Sequence, residues 1–448
     1  MSGSSTFSSG VARVYATRLV QFSSTVASAF LIARLLGAEG RGIYSLLLLL
    51  PSTLFALGQL GLPSALTFFA GAGRSVRSLV VGATALAAVL STLIVIVSLV
   101  ALPAVQPVLF SAAPLDLLTI AAFALPILLV SSFFGSILWG RQRVRPYSRV
   151  LAAQSVAGLV VLIGLVGIAG LGVRGALAGY LVVSGAAAVI IVGLVLRERS
   201  RETIDTAAGE SVQRPVGVGA LLGYGMRLYP SAVATFLSYR VDLFLLSLLL
   251  ADAGDIGRYA IAVSMAEITF QVPDSVATLF YPRVAGAERA EADRLAPSMA
   301  RFTLLATSLA ALALIPLAWL AIRIVLPGFE ASLLPFLILL PGTVALGLGK
   351  VLSAYISGLR RPEPVSVIAV IALVVNVAVN LLLIPLFGIV GAALASLTSY
   401  CVHAILTIGL ASRLSGARPA EFVLVGRAEV DGLIERISAI RPRSGTAG

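Results

Sequence analysis

The chain has 448 residues, of which 59% are hydrophobic and only 12% are charged. Soluble domains carry about twice that share of charge, and a soluble protein this apolar would expose patches that it could not cover. The composition therefore excludes a soluble protein and predicts a polytopic membrane protein. The net charge of +12 does not indicate nucleic-acid binding, because the basic residues cluster at the ends of apolar segments. The single cysteine, Cys401, excludes an internal disulfide framework and a cysteine metal site.

Twelve membrane spans are predicted, each with the roughly 20 largely apolar residues that a crossing needs. The N-terminus lacks the charged region and cleavage site of a signal peptide, so the first span is expected to remain as a helix. The seventh span is too long for one straight crossing, and Pro230 is expected to kink it. Tight turns at Gly172 and Gly388 join spans 5 and 6 and spans 11 and 12. The spans are 14–36, 43–70, 79–102, 115–139, 150–171, 173–196, 218–250, 256–281, 302–326, 332–357, 365–386 and 388–412.

The distribution of basic residues predicts the orientation. With the N-terminus on the cytoplasmic side, 23 basic residues lie on that face and 5 on the opposite face. This excess places both termini in the cytoplasm and gives the two six-span halves the same orientation. The tail contains either an amphipathic helix at about 420–440 on the membrane surface or a loosely ordered segment. The predicted parts are an N-terminal lobe (1–197), a charged cytoplasmic linker (198–217), a C-terminal lobe (218–413) and a cytoplasmic tail (414–448).

An internal repeat relates the two halves. Residues 145–197 and 361–413 align without a gap and share 14 identities. The informative matches are an initial Arg-Pro, a Gly-x-x-Gly-Ala turn and a final arginine. In a membrane chain such a repeat is typical of transporters, whose sites lie between the repeats.

The first spans of each half also correspond. Gly42 and Tyr44 align with Gly257 and Tyr259 at a shift of 215 positions. The glycines predict a tight outer turn, and the tyrosines predict an interfacial aromatic belt.

Four basic residues lie inside predicted spans, where an ionisable side chain is costly and therefore a functional candidate. Arg18, Arg227 and Lys350 fall in the cytoplasmic half, and Arg240 lies deeper. This arrangement suits an anionic headgroup arriving from the cytoplasm, because the arginine fork matches phosphate oxygens. The four are the predicted substrate-binding residues. For Arg18 and Lys350 the alternative is snorkelling to the nearby interface.

The acidic residues inside spans predict cavity polarity or ion coupling. Asp242 is two positions from Arg240, so the two side chains point to different sides of the helix. Asp242 is expected to pair with a basic group on a neighbouring span, or to bind a coupling cation or proton. Glu267, Gln271 and Asp274 share one face of span 8. A polar stripe on a membrane helix must face the interior or water, so these three are expected to line a cavity.

The remaining polar residues favour structural roles. Asn376 and Asn380, one turn apart in span 11, are predicted to make helix–helix polar contacts. His403 is expected to be an ordinary satisfied histidine rather than a proton relay. The sequence has no HExxH, GxSxG or Walker motif and no clustered metal ligands. We therefore expect a transporter without a cofactor, not an enzyme, driven by an H⁺ or Na⁺ gradient, the membrane potential or the substrate gradient.

Three segments carry a family resemblance: ARLLGAEGRGIYSL at 33–46, YRVDLFLLSLLLADAGDIGRYAIA at 239–262, and SGLRRPEPVSVIAVIALVVNVAVNLLLIPLFGIVGAALAS at 357–396. Over roughly residues 10–413 the chain resembles the O-antigen type oligosaccharide flippases of the multidrug/oligosaccharidyl-lipid/polysaccharide (MOP) exporter superfamily. The resemblance implies an all-α membrane protein with two six-helix lobes around a central cavity and alternating access between them.

The resemblance also implies a substrate and a location. The substrate would be an oligosaccharide linked to a polyprenyl pyrophosphate, in the bacterial cytoplasmic (inner) membrane. Membrane lipid and other polysaccharide-assembly proteins would be the partners, and nucleic acid would not. Two alternatives stay open: a cation-coupled multidrug exporter of the same superfamily, which predicts an acidic cavity, and a membrane glycan polymerase or ligase.

Overall fold

The computed structural model describes residues 3–207, 214–250 and 252–424, except the side chains of 3–16, 18–19, 203–207, 231 and 282. This part of the chain contains α-helices, short 3₁₀ and π turns, and no strand. The helices are α1 (Gly3–Gly58), α2 (Leu62–Gly71), α3 (Val76–Leu109), α4 (Leu115–Ala122), α5 (Ala124–Gly140), α6 (Val144–Leu162), α7 (Gly172–Ala207), α8 (Val218–Leu249), α9 (Ala253–Ala266), α10 (Gln271–Gly286), α11 (Arg289–Ile324), α12 (Leu333–Gly358), α13 (Glu363–Phe387) and α14 (Ile389–Ser415).

The number of crossings agrees with the prediction. Ten helical segments among the described residues are long and apolar enough to cross a membrane. The first of them contains a break at Gly37, where φ is 68°, so it provides two crossings. Residues Ala253–Gly286 provide another, made of α9, a 3₁₀ turn and α10. The prediction of an all-α, multi-pass membrane protein with twelve spans is confirmed.

The predicted tight turns are also confirmed. Gly172 and Gly388 both have φ of 57°, in the region that glycine adopts without a steric penalty. Each glycine leads directly into the following helix. The repeat therefore preserves backbone geometry as well as residue type at this turn.

Two spans differ from the prediction in their interior. Helix α8 contains Pro230, where the kink stays a prediction, and only Ala232–Leu249 after it is apolar enough to cross a membrane. Span 8 was predicted as one helix, but a 3₁₀ turn at Glu267–Phe270 interrupts it. A 3₁₀ turn has about 3.0 residues per turn instead of 3.6. The turn therefore changes the angle between Glu267 and Asp274 around the helix axis, and their place on one cavity-lining face stays a prediction.

The described chain divides into two compact units, residues 1–261 and 262–448. Helix α8 belongs to the first unit because it packs on α1, α2 and α3. The division therefore does not coincide with the predicted linker at 198–217, whose first residues continue α7. The repeat-based lobes and linker stay predictions. The first unit has an aliphatic and aromatic core that includes Leu66, Leu125 and Phe133.

One residue of the predicted linker caps a helix. The Glu202 carboxylate accepts hydrogen bonds from the backbone N–H groups of Val76 (2.9 Å) and Arg77 (3.2 Å) and lies 3.0 Å from the Arg141 guanidinium. Val76 and Arg77 begin α3, where a negative charge is stabilised by the helix dipole and by donors that lack a partner within the helix. The negative charge of Glu202 thus stabilises the contact between α7 and the start of α3.

The tail is described only in part. A 3₁₀ turn at Pro419–Phe422 buries Phe422 in the core of the second unit, with Tyr355 and Ile356. The remainder of the amphipathic helix predicted at 420–440 lies outside the described residues.

Candidate functional site

Two helical segments that correspond in the repeat pack so closely that their backbones are in direct contact. A Cβ atom added to Gly42 would lie 1.7 Å from the Ala253 carbonyl oxygen, and one added to Gly257 would lie 1.9 Å from the Ala38 carbonyl oxygen. Both segments read Ala-x-x-x-Gly, the small-residue spacing that lets membrane helices approach closely. We call these four residues the glycine crossing. The glycines serve close approach rather than the tight turn that was predicted; the turn is made at Gly37.

The tyrosines next to the glycine crossing are buried. Tyr44 is 6% exposed and Tyr259 is fully buried, so the prediction of an interfacial belt is wrong. The Tyr259 hydroxyl donates a 2.6 Å hydrogen bond to Asp242 Oδ2, and the Leu243 N–H donates to Asp242 Oδ1 at 2.8 Å. A buried carboxylate needs donors because it has lost water. The neighbouring-span partner seen for Asp242 is thus a tyrosine hydroxyl, where a basic group was predicted.

One arginine, Arg240, lies near this carboxylate, and a second arginine, Arg41, lies near Arg240. Arg240 is half-buried, and its charge acts on both Asp242 and Arg41. Arg41 is half-buried as well, with its Nε shielded from solvent. We call Arg41, Arg240, Asp242 and Tyr259 the arginine cluster. These four residues carry two positive charges and one negative charge, and the guanidinium groups are planar donors, which suits a phosphate-type anion.

Sequence reasoning missed Arg41, because residue 41 falls between the predicted spans 14–36 and 43–70. The repeat contained a signal that could have found it. At the shift of 215 positions its counterpart is Ile256, which is fully buried. A charge at a position whose counterpart is a buried aliphatic residue marks a departure from the repeat.

Removing the Tyr259 hydroxyl is expected to destabilise the protein. In Tyr259→Phe the buried Asp242 carboxylate loses a donor, and a hydrogen bond to a charged group contributes about 1.5–3 kcal/mol. Thermal unfolding of the purified protein in detergent measures the change. The matched control is Tyr44→Phe, the equivalent position, which leaves both donors to Asp242 in place. An equal or larger loss in the control would contradict the assignment of the Asp242–Tyr259 bond as the important one.

Arg227, another predicted substrate-binding arginine, is not in the arginine cluster. Arg227 is exposed on α8 and lies thirteen residues before Arg240 in the same helix, about 20 Å away along its axis. Arg18 belongs to α1, but its side chain lies outside the described residues. The roles predicted for Arg227 and Arg18 stay predictions.

Lys350 and Asp274, which were assigned separate roles, form an ion pair. The Lys350 Nζ lies 2.8 Å from Asp274 Oδ1 and 4.0 Å from the centroid of the Phe270 ring. The pair joins α12 to α10, while Gln271 on α10 is exposed and Glu267 on the 3₁₀ turn is half-buried. Lys350 therefore carries a counter-charge and an aromatic contact in the second unit.

His403 lies close to this pair. A Cβ atom added to Gly349 would lie 2.6 Å from the His403 Nδ1, so the glycine makes room for the ring. The buried His403 Nδ1 has no hydrogen-bond partner among the described residues. The prediction that the hydrogen-bonding groups of His403 all have partners is therefore wrong for Nδ1.

The two asparagines of α13 bond to each other rather than to a neighbouring helix. Asn380 Nδ2 donates to the carbonyl oxygen (2.9 Å) and to Oδ1 (2.8 Å) of Asn376. Both residues are buried, with exposures of 0% and 1%. The bond between α13 and α14 is instead donated by the Ser399 hydroxyl to the Ala372 carbonyl oxygen at 2.8 Å. One helical turn brings the two amides within reach of each other, and the predicted helix–helix role of Asn376 and Asn380 stays a prediction.

Comparisons with known structures show the fold. The structure titled "Lipid II flippase MurJ, inward closed conformation" aligns with 96% of this chain and 93% of its own, at 13% identity and a TM-score of 0.73. An inward-facing multidrug resistance MATE family transporter of the MOP superfamily aligns with 89% of this chain and 95% of its own, at 16% identity and 0.64. The outward-facing form of a MATE family transporter aligns with 91% of this chain and 96% of its own, at 16% identity and a TM-score of 0.66.

Sequence comparison shows the family. No curated protein matches the chain by sequence. Residues 14–286 match the family model described as polysaccharide biosynthesis protein, which covers more than half of the 448 residues. The chain therefore belongs to the polysaccharide biosynthesis protein family.

Proposed function

We propose that the protein flips a polyprenyl-pyrophosphate-linked oligosaccharide from the inner to the outer leaflet of a bacterial cytoplasmic membrane. The glycan would serve cell-surface polysaccharide synthesis, as O-antigen or another lipopolysaccharide component does. The protein would act by alternating access, with both termini in the cytoplasm and without chemical catalysis. The observation that carries the proposal is the arginine cluster, a net positive site within the apolar spans of a chain of this family.

The charges of the cluster suit the pyrophosphate of such a substrate. Several acceptor oxygens can meet the guanidinium forks of Arg41 and Arg240. Two like charges close together in a poorly solvated site repel each other, and an anion between them relieves that repulsion. The site therefore has a physical reason to prefer a multiply charged anion over a neutral lipid.

The negative charge of the substrate also affects its release. For an anion that leaves toward the outer face, the membrane potential contributes about 2.3 kcal/mol per charge per 100 mV. In this proposal the energy comes from that potential, from an H⁺ or Na⁺ gradient or from the substrate gradient, and no cofactor takes part.

A cation-coupled multidrug exporter is the second candidate, because MATE transporters share the fold. Such a protein needs intramembrane acids that can bind a cation. Here Asp274 lies 2.8 Å from Lys350 and Asp242 accepts from Tyr259. These contacts favour the flippase over the exporter.

Reconstitution of the full-length protein in liposomes tests the proposal. The probe is undecaprenyl pyrophosphate that carries one fluorescent N-acetylglucosamine, and a membrane-impermeant reducing agent measures how much of it faces outward over time. We expect protein-dependent translocation of this lipid and none of ethidium, a cationic dye. Ethidium transport without translocation of the lipid would overturn the flippase assignment in favour of the exporter.

A further inference from the structure

A cavity with a mixed polar and apolar lining lies among α1, α6 and α7 in the first unit. Its volume is about 330 Å³, within the usual range for small-molecule sites of roughly 300–1,000 Å³. Amides and hydroxyls dominate the polar part of its lining: Gln21, Thr25, Ser28, Gln154, Tyr180 and Ser184.

The sequence builds this cavity from rows of polar residues on membrane helices. Gln21, Thr25 and Ser28 are four and three residues apart, so they share one face of α1. Gln154 Nε2 on α6 donates to the Ser184 hydroxyl on α7 at 3.3 Å. Polar rows on helices of a membrane protein must face the interior or water, and here they face one another across the cavity.

The cavity is a departure from the repeat. At the shift of 216 positions the counterparts of Gln154 and Ser155 are Val370 and Ile371. Val370 is 47% exposed, whereas Gln154 lines the cavity. The polar lining therefore does not follow from the fold that the two halves share.

The chemistry of the lining selects its ligand. None of the described side chains that line the cavity is charged, so it suits neither a pyrophosphate nor a cation. Thr25 and Ser155 donate to carbonyl oxygens of their own helices, and Gln154 donates to Ser184. The oxygens of these side chains can still accept hydrogen bonds, which an acyl chain cannot donate. A ligand with many hydroxyls matches them, because amide and hydroxyl side chains both donate and accept.

We propose that this cavity binds the uncharged, hydroxyl-rich sugar next to the pyrophosphate of the lipid-linked substrate. The inference rests on the proposed function and adds a separate site for the sugar. Tyr44, which lines the cavity, follows Arg41 of the arginine cluster by three positions in α1, on the same helix face by spacing. A sugar joined directly to a pyrophosphate needs two such neighbouring sites, one basic and one neutral.

Binding measurements with the full-length protein in lipid nanodiscs test the proposal. The probes are farnesyl pyrophosphate and the same lipid carrying one N-acetylglucosamine. The wild type is expected to bind the sugar-bearing probe more tightly. Gln154→Val, which introduces the residue found at the equivalent position, and Tyr180→Phe should each reduce that difference about three- to tenfold. Both should leave the affinity for farnesyl pyrophosphate unchanged.

Tyr147→Phe is the matched control, because Tyr147 is on α6 but packs in the core of the first unit instead of lining the cavity. It should keep the full difference between the probes. The cavity assignment is overturned if both variants keep the difference as well, or if the wild type binds the two probes equally. A wild type that binds neither probe would overturn the proposed function and this inference together.

Discussion

Arg240→Ala is expected to reduce translocation of the lipid-linked sugar by about a hundredfold. Removing one partner of a close, poorly solvated charge contact costs about 2–5 kcal/mol, and Arg240 is the arginine whose charge acts on both Arg41 and Asp242. Its loss leaves the carboxylate with less positive charge around it, so a substrate anion meets a weaker and less selective site. The initial rate of translocation in liposomes measures the effect.

Two variants separate charge from structure. Arg240→Lys keeps the charge but loses the planar fork, and it should fall between wild type and alanine. Arg174→Ala is the control. It removes an arginine whose 3.1 Å pair with Asp116 is largely exposed, and because exposed pairs contribute little, translocation should stay near the wild-type rate. Normal translocation by Arg240→Ala, at normal expression and thermal stability, would remove Arg240 from the mechanism.

Gly257→Ala is expected to destabilise the protein strongly, although alanine is the better helix former. Its methyl group would lie 1.9 Å from the Ala38 carbonyl oxygen, a distance at which the two backbones must separate. Overpacking of this kind costs about 1–3 kcal/mol or more, and separation would also disturb the contacts of nearby Tyr259. Gly42→Ala should behave in the same way, because its methyl group would lie 1.7 Å from the Ala253 carbonyl oxygen. Thermal unfolding in detergent measures both.

The matched control is Gly193→Ala. A Cβ atom at Gly193, within α7, meets nothing within 4 Å. There the usual benefit of replacing a helical glycine by alanine, about 0.5–1 kcal/mol, should appear. Loss of stability in Gly257→Ala together with a gain in Gly193→Ala would show that close backbone approach, rather than helix propensity, determines the effect at Gly257. A stabilised Gly257→Ala protein would contradict the glycine crossing.

Most of the architecture follows from the sequence because lipid restricts the possibilities. Hydropathy predicts the spans, and the Gly172 and Gly388 turns follow from a residue type that favours positive φ. The interruption at Glu267–Phe270 did not follow, because a 3₁₀ turn contains the same residue types as the helices that flank it. Periodicity cannot detect a local change in period that spans only four residues.

The candidate site was predictable one residue at a time but not as a set of contacts. Asp274 and Lys350 were each identified as intramembrane charges, yet their pairing depends on how α10 packs on α12. Tyr259 was assigned to an interface because tyrosine favours that location in general. Its actual partner, Asp242, is seventeen residues away across a turn, and hydropathy contains no information about that contact.

The glycine crossing has a consequence for the history of the chain. Positions that correspond in the two repeats contact each other reciprocally, as the same surface patch does across the two-fold axis of a symmetric dimer. A duplicated gene inherits such an interface ready-made, since both copies already contain Ala-x-x-x-Gly. Ala38–Gly42 and Ala253–Gly257 can then be understood as an isologous interface between two former subunits, now retained within a single polypeptide.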